Sequence, residues 1–105
     1  MHKTIRIAGN TECPCYWAII KKGFEVTISS QLTNVEGSDC RWTYEAQKDD
    51  WLFSATTIQA LLGLITMWEI RSDDWRASEN EKNTYIEYRG QTPFYDIEGN
   101  EIFDE

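Results

Sequence analysis

The chain has 105 residues, enough for one domain with a modest core, and its 41% hydrophobic content with five tryptophans excludes a disordered polymer. Its net charge is −8 and unevenly spread: residues 1–22 hold Lys3, Arg6, Lys21 and Lys22 against Glu12, whereas residues 23–105 hold six bases and seventeen acids. That balance disfavours nucleic acid and anionic membrane as partners, because both need Lys and Arg to neutralise phosphate, and it suits a cationic partner or plain solubility.

The first residues, MHKTIRIAGN, lack the apolar run of a secretory leader. Three cysteines are too few for a disulfide framework, so a reducing, cytoplasmic setting is expected. Thr4 to Ala8 reads as a short strand ended by Gly9 and Asn10. Tyr16 to Ile20 is a dense apolar run, and Phe24 to Ser29 alternates with Phe24, Val26 and Ile28 on one side. A hairpin through Lys21, Lys22 and Gly23 is expected to join them, with Gly23 supplying a positive φ. Residues 31–40 are turn-rich and read as a loop.

Arg41 to Gln47 alternates again, with Trp42, Tyr44 and Ala46 opposite Thr43, Glu45 and Gln47. Lys48, Asp49 and Asp50 form a turn, and Trp51 to Ala55 reads as the returning strand. The central helix follows. Thr56 and Gln59 fit a capping box. Ile58, Leu61, Leu62, Ile65 and Trp68 recur at helical spacing on one face. Gly63 costs about 1 kcal/mol relative to Ala and is expected to mark close packing. Ala60, Leu64 and Met67 form a second apolar strip, covered either by the last third of the chain or by a second copy in a homodimer. The run is too short to cross a membrane, which needs about 20 apolar residues.

Beyond Trp75 the segment 76–83 is polar and expected to be mobile. Thr84 to Arg89 reads as a strand, and Phe94 to Phe103 as a terminal hairpin turning at Glu98, Gly99 and Asn100. Asp96, Glu98, Glu101, Asp104 and Glu105 make the end acidic. The predicted architecture is a single α+β domain over residues 1–105. It has an antiparallel sheet of about five strands from two hairpins, one long helix over about 56–71 and a small C-terminal hairpin.

Chemistry is sparsely signalled. Cys13-Pro14-Cys15 lacks the spacing of a zinc site, and a centre built with Cys40 and His2 competes with a plainer reading of inert thiols. No metal and no cofactor is expected. His2 is the sole histidine, so a nucleophile has no evident base, and no catalytic residue is assigned. Glu69 and Asp73 share a face if the helix continues, with Arg71, Asp74, Trp68 and Trp75 around them. Such a group suits a shared proton, a sugar or a cation; otherwise it is a solvated helix end whose acids oppose the macrodipole. Trp42 and Trp51 are expected to pair across their hairpin.

These features suit a non-enzymatic acidic domain, an inhibitor or adaptor gripping a basic protein through Trp42, Trp51, Glu69, Arg71, Asp73, Asp74 and Trp75. In size and charge the chain is similar to the bacterial immunity proteins that neutralise toxins, a likeness that assigns no residue roles. Two alternatives remain: a small-ligand or carbohydrate-handling domain using Glu69, Arg71 and Trp75, and a homo-oligomer joined through Ala60, Leu64 and Met67.

Overall fold

A computed structural model describes residues 3–103; His2, Asp104 and Glu105 of the sequence reading lie outside the described residues. The fold is α+β, with three helices, a three-stranded antiparallel sheet and a separate two-stranded hairpin. The chain divides into two compact units, the first ending at Trp75 and the second beginning at Arg76.

In the first unit, Tyr16 to Ile20 is helical rather than extended, inside α1 (Glu12–Lys21). Pro14 falls in the first turn, where a missing N–H costs nothing, Glu12 and Lys21 complement the helix dipole at either end, and Cys15, Tyr16 and Ile19 share the buried face. Gly23, at φ +94°, therefore ends a helix instead of turning a hairpin, its N–H donating to the Ile20 carbonyl at 2.9 Å. Residues 4–8, expected as a strand, pair with nothing in the sheet, and Ile5 and Ile7 are exposed.

The sheet is a meander of β1 (Glu25–Leu32), β2 (Cys40–Lys48) and β3 (Trp51–Ala55), in that spatial order. Register aligns Val26, Ala46 and Phe53 across one face. α1 covers that face over β1, and α2 (Ile58–Arg71) covers it over β2 and β3. Ile19, Phe24, Ala46, Phe53, Ile58, Leu61 and Ile65 close the core. Burying each of the large aliphatic side chains contributes about 1.5–3 kcal/mol. Glu25, Thr27, Glu45, Gln47 and Ser54 occupy the opposite face, with Leu52 among them.

α2 starts one residue later than predicted. Thr57 is the N-cap, accepting from the Ala60 N–H at 3.0 Å, and Gln59 reaches Thr11 instead of closing a capping box. Gly63 faces open space, so its expected role in close packing is not found.

β3 stops at Ala55, opposite Tyr44, while β1 and β2 continue pairing as far as Leu32 and Cys40. The result is a two-stranded arm. Its end loop is pinned: Asn34 Oδ1 accepts from the N–H groups of Gly37 and Ser38, and Thr33 Oγ1 donates to Asp39 Oδ2 at 2.7 Å.

In the second unit, Thr84 to Arg89, expected as a strand, belongs to α3 (Glu79–Gly90), which also takes in most of the polar segment expected to be mobile. Ser78 and Glu81 form a reciprocal capping box, and that local signal outweighs the β-preferring Thr84, Tyr85, Ile86 and Tyr88. The terminal hairpin forms as predicted, pairing β4 (Phe94–Tyr95) with β5 (Glu101–Ile102). Asp96 Oδ1 accepts from the N–H groups of Glu98 and Asn100 and shapes the turn. Of the five strands expected in the sheet, residues 4–8 are unpaired and Tyr16 to Ile20 is helical, which leaves three.

Candidate functional site

Four aromatic side chains of the first unit, Phe24, Trp51, Phe53 and Trp68, gather at one end of the sheet. Trp51 opposes Lys48 across the tight Asp49-Asp50 turn, so its side chain shares the helix-covered face with Phe53. Trp68 comes down from α2 onto both rings, with centroids 5.1 Å from Trp51 and 5.5 Å from Phe53. Phe24 packs edge-on against Phe53, and the Lys48 ammonium lies 5.4 Å from the Phe24 ring centre. Such ring pairs add about 0.5–1.5 kcal/mol each beyond the area they bury. Trp68 Nε1 is sealed from solvent with no acceptor among the described residues.

A cleft of about 160 Å³ opens beside this cluster, lined by Trp51, Leu52 and Phe53 of β3, Leu64, Met67 and Trp68 of α2, and Trp75. A smaller hollow of about 120 Å³ adjoins it, sharing Trp51 and Trp68 and adding Phe24, Lys48 and Asp49. Trp51 is 39% exposed and Trp75 is 37% exposed, so both indoles stand at the surface as well as in the cleft wall. A wider concavity of about 580 Å³ lies within the second unit, between the end of α3 and the hairpin. Among the described residues of that unit no side chain is buried.

Two of the three tryptophans at the cleft, Trp51 and Trp75, each follow a pair of aspartates. Asp49-Asp50-Trp51 leads into β3, and Asp73-Asp74-Trp75 ends the first unit in a 3-10 turn (Ser72–Asp74). All four carboxylate residues are exposed. Among the described residues, the two non-glycine positions with positive φ are Asp49 at 54° and Ser72 at 55°, at the start of one tripeptide and just before the other. Holding a non-glycine residue there costs about 1–3 kcal/mol, so both tripeptides are presented by strained turns.

The remaining candidates are placed as follows. Lys22 Nζ lies 2.6 Å from Glu69 Oε1, joining the end of α1 to that of α2. Lys48 Nζ donates to the Lys22 carbonyl at 2.9 Å, so β2 is tied to the same point. α2 ends at Arg71 and Ser72 turns away, which removes Asp73 from the helical face of Glu69. Arg71 Nε donates to the Trp75 carbonyl at 2.9 Å.

Trp42, at 48% exposure, sits on the arm opposite Ser30, and β3 ends before reaching it. The expected Trp42–Trp51 pair is therefore not formed. Of the second strip on α2, Ala60 is exposed while Leu64 and Met67 belong to the cleft. The three cysteines are free, and no group of three or more potential ligands among the described residues is placed to hold a metal ion.

Asp49, Asp50 and Leu52 are not among the binding residues expected from the sequence, and Leu64 and Met67 are expected only as part of a homo-oligomer strip. The repeated Asp-Asp-Trp tripeptide was the visible signal for the first two. The aliphatic contributors follow only from how α2 lies against β3. No family model, curated relative or solved structure matches the chain. No helix among the described residues is long and apolar enough to cross a membrane.

Proposed function

We propose that this protein is a non-enzymatic binding domain that grips a basic partner protein at the cleft between β3 and α2. The reading rests on one observation: two Asp-Asp-Trp segments, far apart in sequence, supply the two exposed tryptophans of a single apolar cleft. Exposed carboxylates steer a cationic partner toward the site and add little when solvated, whereas indoles in a walled cleft give the buried anchor area. The small-ligand alternative draws less support, because Glu69 is held by Lys22 and Arg71 is engaged with the Trp75 backbone.

Titration of tryptophan fluorescence with three synthetic peptides of equal length tests the proposal. One alternates Lys with aliphatic and Phe residues, one replaces the apolar residues by Ser, and one replaces Lys by Glu. Binding is expected for the first alone, and about ten-fold weaker at about 0.3 M salt than at about 0.05 M. Equal binding of the first and the Glu peptide, or binding indifferent to salt, would exclude a charge-steered site.

A further inference from the structure

The cleft touches three consecutive residues of β3: Trp51, Leu52 and Phe53. Consecutive strand residues point to opposite faces, so Trp51 and Phe53 project beneath α2 while Leu52 projects to the far side. β3 is an outer strand of its sheet, and among the described residues no strand pairs with its outer edge. β3 thus offers an unpaired edge in the same strand that, together with α2, lines this almost wholly apolar cleft.

Its volume of about 160 Å³ sets the scale of the occupant. A cavity of about 150 Å³ accepts a benzene ring, so this cleft takes one large side chain, and it has no room for a whole helix about 10 Å wide. We infer that the partner contributes an extended, lysine- or arginine-bearing segment that adds to β3 as a fourth strand and seats one aromatic or long aliphatic side chain against Trp51 and Trp75.

Main-chain bonds to β3 supply affinity, and the cleft selects the anchor residue. Neighbouring side chains of the segment fall near Asp49 and Asp50 at one end of the strand, where lysines are favoured. This deepens the proposed function and depends on it for the basic character of the partner.

Backbone N-methylation separates the two ideas. In a paired strand, alternate residues direct their N–H groups toward the neighbour and the others away from it. The probe is the capped heptapeptide Lys-Val-Lys-Phe-Lys-Val-Lys, together with two versions N-methylated on alternate residues, one on each edge. Strand addition predicts that one methylated version loses at least about ten-fold in affinity while the other binds like the parent.

Equal affinity of all three versions, with the Lys-to-Glu peptide still failing, would overturn strand addition and leave the basic-partner reading intact. Equal affinity of the Glu peptide would overturn both, as would failure of the parent to bind. Met67→Lys places a cation in the cleft wall with a stem long enough to reach water, so the fold is kept. It is expected to weaken the parent peptide about ten-fold, with an unchanged melting temperature as control. Unaltered binding to this variant would remove the cleft from the interaction. Sedimentation showing a dimer that Met67→Lys dissociates would assign the edge to a second copy and overturn the proposal.

Discussion

The two units are stabilised by different kinds of contact. In the first, side chains from α1, β2, β3 and α2 meet in a sealed core, and Lys22 ties the ends of two helices and a strand together. In the second, the contacts that define structure are local: Ser78 with Glu81, Lys82 with Glu79, Asp96 with Glu98 and Asn100. Tyr85, Ile86, Tyr88, Phe94 and Ile97 remain exposed there. Local bonds are enough to choose a helix or a turn, yet a single short helix and a two-stranded hairpin are marginal without burial. Secondary structure and stability are therefore separately specified along this chain.

Mutations should respond to that division. Leu61→Ala, in the sealed core, is expected to cost about 2–5 kcal/mol and to lower the melting temperature sharply. A loss below about 1 kcal/mol would show that the first unit is not held by its core. Ser78→Ala removes the cap of α3 and should cost about 1 kcal/mol. Hydrogen exchange should locate that loss in the amides of α3, while those of Leu61 to Ile65 remain slow.

Gly63→Ala should raise stability by up to about 1 kcal/mol, since the glycine is helical and nothing meets its added Cβ. A destabilised variant would reveal a contact on the outer face of α2. Glu69→Gln should cost least, about 0.2–1 kcal/mol, because the Lys22–Glu69 pair is partly solvated; about 1 M salt should erase the difference between variant and parent.

Much of the first unit was legible from residue spacing. Phe24, Val26 and Ile28 give away a strand, and Ile58, Leu61 and Ile65 a helix, because one buried face imposes its period on the sequence. α1 was hidden because a short apolar run fits a strand as well as a helix, and what decides between them, Pro14 and the terminal charges, is local. In α3 the balance is reversed: Thr84, Tyr85, Ile86 and Tyr88 prefer β structure, while the Ser78–Glu81 cap that sets the helix lies outside any hydrophobic pattern. At the site, Trp51 and Trp75 were foreseen singly. Their convergence depends on the break at Ser72, a backbone conformation that no pattern of side chains announces.

The arm formed by β1 and β2 ends in a loop whose Val35 is 99% exposed. Exposed loop tips are ordinarily where digestive enzymes cut, since cleavage requires the chain to be drawn out into an active site. Here that withdrawal would first break the Asn34 and Thr33 bonds that fasten the loop from inside. Accessibility without slack is expected to slow cleavage within residues 33–39 relative to an unpinned loop of the same length.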